Sequence, residues 1–247
     1  MIVIPMNAFG EAEVKKNGQA FLFKQLIESD IKGVEIRREL LTPSDRPLEQ
    51  FQTEHYTVYS APVELFQADG AFNKENLQIV VQEMTEIRAD TLKLPLGSFM
   101  KGKSNVKEMD HFFRKALPAG TQWLVENDQT KQGGTIEPLA AFLEICSEEG
   151  MEAGLTFDTG NWRYTGESVQ KAFHVLKSYI RYLHVKQVNE TPEGLQTVAI
   201  PLGKSAEWEM ILELLPAAVP VALEFPLSMN DLFLYKNYIE KKKAVVQ

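Results

Sequence analysis

Three carboxylates and one imidazole stand at the ends of four short apolar runs: Glu126 in WLVEND, Asp158 in GLTFDTGN, His184 in YLHVK and Glu224 in VALEFP. Each run reads as a β-strand and is followed by turn residues and then a helical pattern. Raised on separate strands of one parallel sheet, such groups can converge on a divalent cation. Oxygen-rich ligation with one imidazole suits manganese, magnesium or cobalt better than a structural zinc.

The elements that must carry these groups alternate from end to end. Strands are predicted at 1–6, 33–40, within 56–66, at 91–97, 121–128, 152–160, 180–188 and 219–227. Helical patterns follow at 18–30, 74–89, 106–117, 136–150, 167–180, 205–216 and 231–245, with a short helical piece at 47–54. Eight strands, each followed by a helix, give the count of a single (β/α)₈ TIM barrel, an α/β fold spanning 1–247 as one domain. An open doubly wound sheet fits less well, because PMNAFGEAE after the first strand has one glycine and no glycine-rich phosphate turn. The long connection at 187–205 contains TPEG between two extended runs. It predicts a small hairpin that either decorates the surface or closes over the barrel mouth.

Strand periodicity assigns the faces. Alternate residues of a barrel strand meet the helices or the interior, and helix-facing positions are apolar. Leu124 and Glu126 share a face against Val125, and Thr156 and Asp158 oppose Leu155 and Phe157. His184 and Lys186 oppose Leu183 and Val185, and Ala222 and Glu224 oppose Leu223 and Phe225. Glu35 and Arg37 oppose Val34 and Ile36, while Lys93 opposes Leu92 and Leu94. Every one of these polar groups therefore points inward, where an unpaired charge is costly. They require a shared cation, a salt-bridge network or water.

Composition narrows the partners. The chain has 247 residues, 44% apolar and 24% charged, enough to bury a large core. Its formal charge of −8 repels phosphate backbones, so no nucleic acid partner is expected. The basic run Lys241–Lys243 reads as a solvated helix end. Cys146 is the only cysteine and sits in an apolar helical pattern, which fits a core residue in a reducing compartment. MIVIPMNAF lacks the charged region of a signal peptide, and no run reaches the length of a membrane span. The protein is read as cytoplasmic, with no membrane partner.

Taken with their order and spacing, GVEIRREL, LVENDQTKQGGTIE, TFDTGNW, YLHVKQV and LEFPL resemble the xylose-isomerase-like TIM barrels over essentially the whole chain. That superfamily holds sugar isomerases, ketose 3-epimerases, inosose dehydratases and endonuclease IV. Within it, the strings look most like bacterial proteins described as 2-ketogluconate epimerases. The resemblance implies one divalent metal ion, manganese ahead of magnesium, cobalt or zinc, held by Glu126, Asp158, His184 and Glu224. It also implies that Glu126 and Glu224 serve as acid and base. The family often places His three residues after the aspartate, where this chain has Asn161; the family's arginine downstream of the metal histidine has no clear counterpart, although Lys186 is nearby. Barrels of this type often form dimers or tetramers, but the sequence carries no interface signature. An endonuclease needs many histidines for its zinc cluster, whereas this chain has only His55, His111, His174 and His184.

The chemistry these residues permit is proton removal beside a carbonyl, through an enediolate stabilised by the cation. Return of the proton to the opposite face epimerises a keto-sugar; return to the neighbouring carbon isomerises it. Arg37, Lys93 and Lys186 are either spent on salt bridges to Glu35 and Asp128 or bind an anionic substrate, a sugar acid or sugar phosphate. Arg37, Lys93, Asn161 and Lys186 are the candidate substrate contacts. Trp123 and Trp162 are core or mouth residues, the second placed where it could stack on a sugar. Two alternatives keep the same site: a metal-dependent dehydratase of a keto-inositol or sugar acid, and a barrel that binds a sugar acid without turnover.

Overall fold

A computed structural model describes residues 1–203 and 206–244. Strands run β1 Ile2–Pro5, β2 Gly33–Arg37, β3 Tyr56–Ser60, β4 Thr91–Pro95, β5 Gln122–Glu126, β6 Gly154–Asp158, β7 Ile180–Val185, β8 Gln187–Thr191, β9 Gly194–Val198 and β10 Val221–Leu223. Eight of them close a barrel in the order β1-β10-β7-β6-β5-β4-β3-β2. Every neighbouring pair is parallel, from β1 against β2 round to β1 against β10. This is a single (β/α)₈ TIM barrel. The strands β8 and β9 form the antiparallel hairpin expected after the seventh barrel strand.

The helices are α1 Glu11–Asn17, α2 Gln19–Ile27, α3 Lys74–Ile87, α4 Val106–Ala116, α5 Ile136–Glu148, α6 Asn161–Thr165, α7 Val169–Leu176, α8 Glu207–Leu214 and α9 Met229–Ala244. The predicted helix termini at Ser205 and Val245 lie outside the described residues. Three differences from the periodicity reading have local causes. After β1 there are two helices, divided at Gly18, whose φ is +79°. The Asp45 carboxylate presses against that glycine and accepts the Ala20 N–H, so it caps the start of α2 from a distant segment. The β2–β3 connection contains 3₁₀ turns at Arg38–Leu40, Pro43–Asp45 and Leu48–Phe51; Pro43 and Pro47 stand at the starts of the last two and keep them from joining the chain before them into one helix. The short α6 is additional, and it arises at the site itself. Among the described residues no helix is long and apolar enough to cross a membrane.

The faces assigned by alternation are the faces observed. Val34, Ile36, Val125, Phe157 and Leu223 belong to the large core between strands and helices. A separate cluster of Val3, Val58, Leu124, Tyr182 and Ala222 fills the inside of the barrel. Two residues further along three of those strands come Glu126, His184 and Glu224. The apolar plug is thus the floor on which a charged layer stands.

Cys146 is 1% exposed, and burial, with Asp110 nearby, pushes its thiol up to about 12. Labelling by an aromatic disulfide at pH 8 is expected to run at least ~10³-fold slower in the folded protein than in denaturant. Comparable rates would place this side chain at the surface.

Candidate active site

Glu126, Asp158, His184 and Glu224 come together at the carboxyl ends of β5, β6, β7 and β10, and each offers one donor atom within 4.8 Å of the others. Register explains part of this. A bulge between Leu155 and Thr156 shifts β6 against β7, which sets Asp158 directly beside His184. The four are not equivalent. Asp158 and His184 are fully buried, whereas the side chains of Glu126 and Glu224 are 15% and 9% exposed.

Asp158 is fixed by its own chain. Its Oδ1 accepts the N–H groups of Gly160 (2.8 Å) and Asn161 (2.9 Å), so the carboxylate caps α6. Its backbone is clamped by Asn127, whose side chain accepts from Asp158 N–H and donates to Asp158 C=O. Oδ2 is left facing the centre. It is buried without a well-directed hydrogen bond among the described residues, although the Lys186 ammonium lies 2.8 Å away as an ion pair. Burial, with the Glu224 carboxylate adding to it, pushes Asp158 up to about 7 against the pull of Lys186.

Glu224 is the most heavily bonded of the four. Its Oε1 accepts from Asn7 Nδ2 (3.0 Å) and Arg37 Nη1 (3.1 Å), and its Oε2 meets Lys186 Nζ and His184 Nδ1, both at 3.0 Å. Burial opposes its ionisation, but Lys186, His184 and Arg37 outweigh that and hold the carboxyl well below the usual range. Glu126 has one strong partner: its Oε1 accepts from Lys93 at 2.8 Å and lies 3.4 Å from His184 Nδ1. No hydrogen bond reaches Glu126 Oε2 among the described residues. Burial and Lys93 lower His184, yet Glu35 and Glu224 prevail and raise it to about 9.

A cavity of about 580 Å³ opens over this layer, a size ordinary for small-molecule sites. Glu126 and Glu224 border it; Asp158 and His184 do not. Arg37, Lys93, Asn161 and Lys186 also border it, as does Thr197 from the β8–β9 hairpin.

The three interior cations are engaged with carboxylates. Lys93, 1% exposed, bridges Glu35 (3.1 Å) and Glu126 (2.8 Å). Arg37 reaches Glu35, Glu39 and Glu224. Lys186 bridges Asp158 and Glu224, and its stem fits because residue 160 is glycine: a Cβ there would stand 2.5 Å from Lys186 Cγ. Glu35 is thus a partner as expected, but Asp128 is not. Its Oδ1 instead accepts from the Thr130 N–H and hydroxyl.

Trp162 is completely buried against Phe157 and does not face the cavity, so the stacking option falls away. Trp123 stacks on Phe113 outside the barrel. His55 precedes β3 at the amino end, and His111 and His174 are exposed on α4 and α7. Lys242 pairs with Glu209, and Lys243 donates to the Val219 carbonyl, so the basic run ties α9 to its neighbours.

Sequence reasoning did not single out Asn7, Asn127 or Tyr182. Tyr182 was findable, since it stands two residues before His184 on the same face. Asn7 and Asn127 lie just beyond strands, where periodicity carries no signal.

The donor set fits a divalent ion. Three carboxylates and an imidazole face one point, and one buried carboxylate oxygen lacks a directed partner. Four carboxylates here, counting Glu35, face three permanent cations and the His184 imidazole, raised to about 9, so a divalent ion would take the place of the His184 proton.

No family model matches the sequence, and no curated protein matches it. Solved structures match along nearly its whole length. IolI protein with a bound zinc atom is 17% identical with a TM-score of 0.65, covering 99% of this chain and 94% of that one. A xylose isomerase domain protein from Planctomyces limnophilus is 15% identical with a TM-score of 0.61, over 99% and 96%. D-Psicose 3-epimerase from Clostridium cellulolyticum H10 is 11% identical with a TM-score of 0.61, over 99% and 96%. At these identities the likeness is one of fold.

Proposed function

We propose that this barrel is a divalent-cation-dependent sugar isomerase or epimerase, acting on keto-sugars or keto-sugar acids of the 2-ketogluconate type. One observation carries the reading. Of four clustered cation donors, the two that also border the cavity are both glutamates, the residue type able to exchange a proton with a bound substrate. Similarity in fold to a sugar epimerase and to a zinc-bearing barrel supports it.

Glu126, Asp158, His184 and Glu224 would hold the ion, with manganese, magnesium or cobalt suited to the oxygen-rich set. The chemistry such an ion supplies is Lewis-acid polarisation of a neighbouring carbonyl. The protein's own groups divide the remaining work. Glu126 keeps Oε2 free toward the cavity and takes the proton from the carbon beside the carbonyl. Glu224 faces the substrate from another strand and, once protonated from solvent, returns a proton there, while Glu126 passes its own to solvent. Arg37 and Lys186 set positive charge at the cavity wall, where the carboxylate of a sugar acid binds.

The test is solvent exchange. Protein stripped with chelator and reloaded with Mn²⁺ is incubated in D₂O with keto-sugars and keto-sugar acids. Deuterium entering the carbon next to the carbonyl, only with cation present, is the expected result. Product of lower mass by one water would instead mark a dehydratase. Tight binding of a sugar acid with no exchange would mark a binding protein.

A further inference from the structure

Glu35 lies below the four clustered donors and offers nothing to their common point, yet it is linked to three of them. It is fully buried, and both its oxygens are occupied. Oε2 accepts from the Tyr182 hydroxyl (2.9 Å) and lies 2.9 Å from His184 Nε2. Oε1 meets Arg37 Nη1 (2.9 Å) and Lys93 Nζ (3.1 Å). Those two cations continue upward, Arg37 to Glu224 and Lys93 to Glu126.

We infer that Glu35 is a positioning residue for cation binding: it fixes His184 with Nε2–H down and Nδ1 toward the ligand cluster, and it aims Glu126 and Glu224 through Lys93 and Arg37. This rests on the reading of the cluster as a cation site. The imidazole geometry supports the assignment. Nδ1 faces Glu224 (3.0 Å), Glu126 (3.4 Å) and Asp158 (3.8 Å), while Nε2 faces Glu35 alone among the described carboxylates. An ionised carboxylate only accepts hydrogen bonds, so Glu35 keeps a proton on Nε2, and the proton that Nδ1 shares with Glu224 is the one an incoming cation displaces. Tyr182 holds the ring from its edge, with centroids 4.7 Å apart at 89°, and restricts its rotation. Asp158 is fixed separately, by α6 and Asn127, and does not depend on this hub.

The test uses Co²⁺ as probe on the full chain, titrated against a competing chelator while its visible absorption is recorded. Glu35→Gln is expected to weaken Co²⁺ binding about 10–100-fold and to alter the absorption band, because ligand orientation changes. Tyr182→Phe removes a bond to the same carboxylate without touching the links to Glu126 and Glu224, and is expected to cost less than about threefold, since one neutral hydrogen bond is weaker than a charged network. Folded Glu35→Gln with wild-type affinity and spectrum overturns the inference, as does an equal loss in Tyr182→Phe. A second measurement does not depend on the variant folding. In ¹⁵N-histidine-labelled wild type loaded with Zn²⁺, His184 is expected to bind through Nδ1 and keep a protected Nε2–H; ligation through Nε2 overturns the inference. Failure of the wild type to bind Co²⁺ removes the cation site itself, whereas intact wild-type binding with an indifferent Glu35→Gln removes only the role of Glu35.

Discussion

Glu126→Gln is expected to abolish deuterium uptake from solvent into the substrate, lowering exchange by about 10²–10⁴-fold at saturating cation. Glu224→Gln is expected to behave differently: exchange persists for the epimer whose hydrogen faces Glu126, but the opposite epimer does not form. The difference follows from the hydrogen bonds. Glu224 has both oxygens engaged by Asn7, Arg37, Lys186 and His184, so taking a further proton means breaking one of those bonds. Glu126 gives one oxygen to Lys93 and keeps the other free at the cavity wall. Both residues are also proposed ligands, so the comparison is made with cation in excess and its occupancy measured. Full exchange in Glu126→Gln at full occupancy would remove this carboxylate from the chemistry. Identical exchange and epimerisation losses in both variants would remove the division of labour.

Lys186→Met is expected to shift stability and cation binding in opposite directions. The Lys186 ammonium is 2.8 Å from Asp158 Oδ2 and 3.0 Å from Glu224 Oε2, with a side chain 6% exposed. Removing one partner of a buried ion pair costs about 3–5 kcal/mol, because the carboxylates remain without compensation. For a domain of this size that lowers Tm by roughly 6–20 °C. Both oxygens belong to the proposed cation site, so the ammonium competes with a dication. The variant should bind Mn²⁺ roughly tenfold or more tightly, since like-charge repulsion has gone. Saturating Mn²⁺ should then recover most of the lost Tm through linkage. Lys186 also borders the cavity, so KM for a keto-sugar acid should rise far more than KM for a neutral ketose. Equal rises would dismiss the anion-binding role, and unchanged or weaker Mn²⁺ affinity would dismiss the competition.

The β8–β9 hairpin stands beside the cavity through Thr197, and Tyr164 of α6 donates to the Leu195 carbonyl at 3.4 Å. The long connection was therefore legible as a hairpin from its TPEG turn, while its place at the mouth depended on contacts that no local pattern encodes.

The sequence alone determined the strand count, the barrel and the inward direction of Glu35, Glu126, Asp158, His184 and Glu224. These are period-two properties of short strands, and each is written within five or six residues. Tertiary structure decided what those groups touch. Glu35 meets His184 across 149 positions of chain, Arg37 meets Glu224 across 187, and Asn7 meets Glu224 across 217. Such partnerships depend on barrel closure, so alternation could send Lys93 and Lys186 inward but could not say which carboxylates would hold them. The same reason buried Trp162, which local pattern left open between core and mouth: its environment is set by Phe157 on the helix-facing side of β6 and by where α6 turns away from Asp158.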